Sequence, residues 1–481
     1  MKKNRKLYGA LALLIVASTL AVSCADKTED ESAATTLAET EATTEPVETS
    51  AFSTIEVNNY EGYTYKIVST NQDNRHVDFV AEEENGATLN DLVFRRNSKV
   101  AETFNITIEA EDLGYGDINS QVQKDVASDD SSYSLYATNS TSFTMASNGY
   151  LMDWNEVPHI NLEAEYWDQA CIDGISVAGK VYLLTGDITP TGMLTSECML
   201  FNKRLLDNRN IEYPYDDAFA GTWTLDDAIA ITKDLTEDTN GDSRINADQD
   251  TFGLTCWFDY AYTLFYGGGG VMVDKDEGDI PYLAWDLNQQ SNIYEKMYSL
   301  LIDNKANYET ASHERSFKIF NDGRAYFCGI TFQKIETFLR EMDDDYGVLP
   351  IPKYDEKQER YQTCVSGAGT MLVLPVSIRE IETVGNITDA MAAASYDMIT
   401  PDLFDVIAGT KNVRDLESAD MVQLIIRNRV FDISQQYGLA GNGFHEELLK
   451  KKSKDVASTM EKTRKQAEKT LEKLVDAFLS E

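Results

Sequence analysis

The densest run of oxygen-bearing side chains in the chain is the stretch 238–250, Asp-Thr-Asn-Gly-Asp-Ser-Arg-Ile-Asn-Ala-Asp-Gln-Asp. Asp238, Asn240, Asp242 and Asn246 fall at places 1, 3, 5 and 9 of a loop that puts the carbonyl of Arg244 at place 7. A hard cation such as Ca²⁺ takes oxygens in that alternation, because side chains two apart can point into one cage. Two positions depart from the EF-hand pattern: Ser243 stands where a glycine makes the sharp turn, and place 12 is Gln249, between Asp248 and Asp250. The expectation is a structural Ca²⁺ held by Asp238, Asn240, Asp242, Arg244 and one of Asp248 or Asp250. An Asx-rich turn that hydrogen-bonds itself is the alternative.

Catalytic signatures are thin. His76, His159, His313 and His445 are scattered, and neither His-Glu-x-x-His nor Gly-x-Ser-x-Gly occurs, which argues against a zinc hydrolase or a serine esterase. A glycosidase-type carboxylate pair stays open, since 81 acids offer many pairs and their separation is set in three dimensions. The glycine run 267–270 lacks the Lys-Ser or Lys-Thr of a phosphate loop; it is expected to end a helix over 260–266 and start a hairpin. Aromatic residues are plentiful, with 25 Tyr, 19 Phe and 5 Trp, and they cluster at Tyr166-Trp167 and along 257–262. A ring beside a carboxylate or amide suits a sugar, whose C–H face stacks while its hydroxyls take hydrogen bonds. The same rings also serve as ordinary core.

The chain start reads as a secretory leader. Lys2, Lys3, Arg5 and Lys6 precede an apolar stretch over 7–22 that falls short of the roughly 20 residues of a membrane-spanning helix. Leu-Ala-Val-Ser-Cys24 resembles a bacterial lipoprotein signal, which implies cleavage after residue 23 and lipid on Cys24. Residues 24–54 then form an acidic, Thr- and Ser-rich segment that cannot bury enough apolar surface to offset its chain entropy, so a disordered tether is expected. The formal charge of −39 repels phosphate backbones and excludes nucleic acid as a partner. Cys171, Cys198, Cys256, Cys328 and Cys364 are odd in number and widely spaced, which suits buried apolar residues better than a disulfide framework.

From residue 63 onward, short apolar runs alternate with amphipathic stretches, the pattern of α/β lobes. Strands are expected at 65–69, 77–81, 134–138, 180–184, 198–201, 346–349 and 370–374. A helix starts at a capping box of Thr224 and Asp227, and a closing C-terminal helix at Ser458 and Glu461.

Several ordered stretches resemble the family 1 extracellular solute-binding proteins, the group typified by maltose-binding protein. They are Gly179-Lys-Val-Tyr182, Leu200-Phe-Asn-Lys-Arg-Leu-Leu206, Tyr213-Pro-Tyr215, Gly221-Thr-Trp223-Thr-Leu-Asp-Asp227, the acidic stretch 238–254, Phe320-Asn-Asp-Gly-Arg-Ala-Tyr-Phe327 and Asp345-Tyr-Gly-Val-Leu-Pro-Ile-Pro-Lys-Tyr354. The resemblance implies a two-lobed, periplasmic-binding-protein type II α/β fold with hinge crossings and C-terminal helices. Lobe one would hold 55–190 and 346–375; lobe two would hold 191–345 and 376–481. Crossings are placed near 187–195, near 347–352 and after 374. The implied function is that of an extracytoplasmic lipoprotein, anchored to the cell membrane, that delivers a solute, a sugar in the first instance, to the permease subunits of an ABC importer. No catalysis and no organic cofactor are implied. Ligand contacts carried over from the family fall at Asn139, Ser140, Trp167, Asp187, Thr195, Trp257, Tyr260 and Thr331. A surface-anchored glycan hydrolase or adhesin is the competing reading.

Overall fold

The computed structural model describes residues 50–480 except 115, 140–142, 366, 368 and 404–414. Cys24 and nearly all of the expected leader and tether lie outside the described residues. Ser50 onward is docked, because Phe52 is buried against Phe104 (ring centroids 6.4 Å apart) and the backbone amides of Ala51 and Phe52 each donate to Asp397 at 3.0 Å. The body therefore begins a few residues before the expected boundary at 55, and one apolar ring accounts for the shift.

Among the described residues thirteen strands occur, in chain order β1 Tyr63–Thr70, β2 Ile106–Leu113, β3 Leu135–Asn139, β4 Glu197–Asn202, β5 Phe252–Trp257, β6 Val273–Lys275, β7 Pro281–Leu283, β8 Asn307–Glu309, β9 Ala325–Thr331, β10 Tyr346–Leu349, β11 Thr363–Cys364, β12 Thr370–Val373 and β13 Arg429–Val430. Two main sheets organise the molecule. The first has the order β12-β3-β1-β2, parallel except for β12. The second has the order β10-β4-β9-β5-β8, in which β5, β8 and β9 are parallel and β4 runs against β9 and β10. Each sheet carries its own apolar core, and β4, β5, β9, β10 and β12 are buried almost end to end, as strands covered on both faces require.

The division of the chain between lobes differs from the expectation for β10, for the helix Ile381–Met398 and for the end of the closing helix, where Leu471, Leu474 and Phe478 pack in lobe one. Strand β10 pairs with β4 through Tyr346↔Asn202 to Leu349↔Met199, so it belongs to lobe two; the second crossing comes later, between Cys364, which packs with lobe two, and Met371, which packs with lobe one. The helix Ile381–Met398 buries Ile387, Met391 and Ala394 against the first sheet's core and so belongs to lobe one. In each case the local pattern is silent, since an apolar strand or helix fits either core.

The Thr224–Asp227 capping box is present, and the helix it opens is Leu225–Thr232. The closing helix, Val456–Leu479, is capped three residues earlier than expected, by Asp455 instead of Ser458, whose amide donates to Asp455 at 3.2 Å. The segment 77–81 is no strand: most of it continues the 3₁₀ turns of Gln72–Asp78. Residues 180–184 contribute only single bridges. The glycine run behaves as expected, ending the helix Tyr260–Gly267, with Gly269 at φ +75° in the left-handed region. All five described cysteines are buried and free.

Candidate functional site

In α/β sheets the ligand side is the edge where parallel strands end, and helix N-termini gather there. In lobe one that edge carries the end of β1 (Ser69 and Thr70), the end of β3 (Asn139) and, since β12 is antiparallel, its first residue Thr370, which is in register with Asn139. In lobe two it carries Trp257 at the end of β5, Thr331 at the end of β9, and Glu197 at the head of antiparallel β4, in register with Thr331. The crossing over 186–196 joins the two edges.

These strand ends are polar and incompletely satisfied. The hydroxyls of Ser69, Thr370, Ser196 and Thr331 are buried and find no hydrogen-bond partner among the described residues. Such groups cost free energy unless something pairs with them. Thr70 and Thr138 on the same edge are engaged, the first accepting from the Gln72 amide at 3.2 Å and the second donating to Asn119 at 2.8 Å. Carboxylates stand beside the hydroxyls. Burial pushes Asp187 up to about 7. Glu197 and Asp259 are both raised by burial, and the charge of Asp259 adds to the effect on Glu197. On the helix Phe444–Lys450, burial and then the charge of Asp259 raise Glu446 to about 7, while Lys450 sits 4.0 Å from it.

The carried-over contacts separate into three groups. Asn139, Asp187, Trp257 and Thr331 lie on the two edges or at the start of the crossing; Trp257 is half-buried, its ring 4.6 Å from that of Phe258 and 5.8 Å from His313. Trp167, Tyr260 and Thr195 are spent on the fold. Trp167 is 1% exposed and its indole donates to Asp389 at 2.9 Å, in the network that also binds the Tyr166 hydroxyl at 2.8 Å. Tyr260 lies flat on β9, where a Cβ on Gly329 would come within 2.6 Å of its ring, and its hydroxyl donates to the Cys198 carbonyl at 3.4 Å. The Thr195 hydroxyl donates to the Gly192 carbonyl at 2.7 Å. Ser140 lies outside the described residues. Glu197, Ser196, Ser69 and Thr370 escaped the sequence reading, whereas Asp259 lies within the span 257–260 that it marked. A lone acid heading the apolar run Glu-Cys-Met-Leu-Phe-Asn was the available signal for the first.

The loop over 238–250 closes on itself. Asp238 accepts from the amides of Gly241 (2.7 Å) and Ser243 (2.6 Å), Asn240 from Asp242 (2.9 Å), Asp242 from Arg244 (2.8 Å), and Asp250 from Thr239 (3.0 Å) and Asn246 (2.8 Å). Asp248 faces Arg315 at 3.1 Å. Among the described residues no three His, Cys, Asp or Glu side chains gather around one point. Ser243 takes the left-handed backbone, φ +65°, of the glycine it replaces.

Among the described residues no helix is long and apolar enough to cross a membrane. No curated protein matches the sequence. Solved structures match the fold at low identity. The galacto-N-biose/lacto-N-biose I-binding protein of a Bifidobacterium longum ABC transporter, in complex with lacto-N-biose, is 13% identical with a TM-score of 0.59, covering 87% of this chain and 99% of that one. UspC of M. tuberculosis is 14% identical with a TM-score of 0.57, over 85% and 100%. An ABC transporter solute-binding protein of Thermotoga lettingae bound to α-D-tagatose is 15% identical with a TM-score of 0.55, over 86% and 100%. The sequence model of the bacterial extracellular solute-binding proteins matches residues 81–384, most of the body with the whole second sheet and all of the first but β1, and the chain belongs to that family.

Proposed function

We propose that the protein holds a sugar unchanged between its lobes and delivers it to the permease subunits of an ABC importer, tethered on the outer face of the cell membrane by lipid on Cys24. The observation that carries the sugar reading is the set of buried hydroxyls on both strand-end edges that lack partners among the described residues, Ser69 and Thr370 on one and Ser196 and Thr331 on the other. A polyhydroxylated ligand supplies both donors and acceptors to such groups, and it does so from both lobes only in the closed state, which it thereby favours. Trp257 at the lip of β5 offers an apolar face to a sugar ring. The sugars bound by the Bifidobacterium and Thermotoga proteins point the same way.

A thermal-shift screen against neutral and amino sugars, peptides and polyamines, followed by calorimetry, tests this. A sugar is expected to bind one to one, and Trp257→Ala to weaken it by about 1 to 3 kcal/mol, the scale of a buried aromatic anchor. The sugar recovered after overnight incubation should have an unchanged mass. Turnover that disappears on changing one cleft carboxylate would make the protein a glycan hydrolase instead. For the anchor, Cys24→Ser should release the protein from the membrane fraction.

For the loop over 238–250 the proposal is a structural Ca²⁺. It is supported by the alternating oxygen side chains and the left-handed Ser243, with Asp238, Asn240, Asp242, the Arg244 carbonyl and Asp248 or Asp250 as ligands. Ca²⁺ at 100 times its dissociation constant would add about 2.7 kcal/mol to stability. Identical melting of the parent and Asp242→Ala, with and without chelator, would leave the loop a self-bonded Asx turn.

A further inference from the structure

The unpartnered hydroxyls at the strand ends can be satisfied by a neutral ligand. Glu197 makes a different demand. It is 4% exposed at the head of β4, and its carboxylate accepts no hydrogen bond from any described residue. Behind it on the same sheet face, the ring of Tyr260 fills the space over Gly329, and at the strand end the Thr331 hydroxyl, partnerless among the described residues, is its cross-strand neighbour. Ser196, wholly buried beside it, also lacks a partner.

The cations nearby are placed on other acids. Lys334 and Lys450 act on Asp259, and Lys450 is also the partner of Glu446, with its ammonium 3.4 Å from the Phe258 ring centroid. The charge that reaches Glu197 is that of Asp259, another carboxylate. A buried carboxylate with a like charge beside it and no counter-ion is costly, and an ion pair completed by a ligand removes that cost where a hydroxyl only shares a lone pair.

We infer that the cleft is built for a ligand that carries an ammonium group, with Glu197 as the residue that selects it. This rests on the solute-binding reading above and narrows it: within the sugars, an amino sugar with a free amine fits, and a polyamine is the other source of the same group. Among the described residues Lys450 faces Glu446, and Lys334 and Lys450 both lower Asp259, which leaves Glu197 as the acid that an ammonium would pair.

Calorimetry on the full-length protein with three probes tests it: a β-1,4-linked glucosamine disaccharide, its N-acetylated counterpart, which keeps the rings and removes the charge, and spermidine. The free-amine disaccharide should bind at least tenfold more tightly than the acetylated one. Glu197→Gln should abolish that ratio, and Glu197→Asp, which keeps the charge but shortens the reach, should retain part of it. If Glu197→Gln does not fold, the ratio measured on the parent decides by itself. Equal or tighter binding of the acetylated disaccharide overturns the ammonium inference and leaves the sugar reading standing. Tight spermidine binding without either sugar upholds the ammonium and overturns the sugar. A ratio that survives in Glu197→Gln, or no binding of any probe, overturns the inference.

Discussion

His445 shows how far one side chain can be taken from its solution behaviour. It is 2% exposed, its ring 4.2 Å from that of Phe265 and 3.9 Å from that of Phe444, and its Nε2 has no hydrogen-bond partner among the described residues. Burial drives its pKa from 6.5 down to about 3. The folded protein therefore keeps this imidazole neutral at pH values where the unfolded chain protonates it. Its stabilising effect is complete above pH 6.5 and is lost as the pH falls from there towards 3, at about 1.4 kcal/mol per unit. At pH 5 the loss is about 2 kcal/mol. His445→Phe, which keeps an aromatic ring but cannot titrate, should be less acid-sensitive by that amount when urea unfolding is compared at pH 7.5 and pH 5. A difference near zero would mean that the ring reaches water in the folded state. Sequence inspection showed only a histidine without a motif; its partners come from the helix Tyr260–Gly267 and from its own, 180 residues later in the chain.

Among the elements, the helix Ile381–Met398 is the one whose place the sequence left open. It packs so closely that a Cβ on Gly385 would lie 2.0 Å from the Pro158 carbonyl oxygen and 2.9 Å from Val157. Alanine ordinarily favours a helix over glycine by up to about 1 kcal/mol. Here the contact is with backbone, which cannot swing aside, so Gly385→Ala should destabilise by about 1 to 3 kcal/mol in equilibrium unfolding. An unchanged or higher stability would show that the helix stands further off. Strands were read with similar asymmetry. Tyr346–Leu349 matched residue for residue, and β1, β3, β4 and β12 to within two at either end. The edge strand β2 went unread because its alternation of Ile, Thr and Ala with acids does not stand out in so acidic a chain. Residues 77–81 look like a strand by composition, but the Asp78 carboxylate accepts from the Thr191 amide at 2.8 Å, and the Asp78 carbonyl accepts from Arg96 at 2.6 Å. Those tertiary bonds outweigh a weak local preference.

At the scale of the molecule, the lobes are joined by more than the crossings. The closing helix buries Val456, Met460 and Ala467 in lobe two, then Leu471, Leu474 and Phe478 in lobe one, where Phe478 lies 4.4 Å from the Tyr182 ring. The hairpin β6–β7, inserted between lobe-two elements, reaches lobe one: Asp279 accepts from the amides of Ala178 and Gly179, both at 2.9 Å, and Lys275 donates to the Asp173 carbonyl at 2.7 Å. Phe478→Ala should therefore cost about 3 to 5 kcal/mol, as for a fully buried aromatic residue, although it lies near the end of the chain. A loss below 1 kcal/mol in urea unfolding would mean that the last turns of the helix are frayed.

The sequence by itself determined the fold class, the family and the solute-binding character. The fold class follows from alternating short strands and helices, and the family with its solute-binding character from the resemblance that the ordered motifs carry, all of which are local or additive along the chain. It also fixed the helix begun by Thr224 and the break at the glycine run, since capping and left-handed turns are settled within a few residues. Which aromatic rings are locked into the core and which stand at strand ends was decided only by the tertiary structure. Trp167 and Trp257 both sit in aromatic clusters, yet one is locked to Asp389, 222 residues away, and the other sits at a strand end. That no described cation pairs with Glu197 could not be read either, because a counter-ion is a property of what surrounds a residue in space, and the strands beside β4, which are β9 and β10, come from far later in the chain.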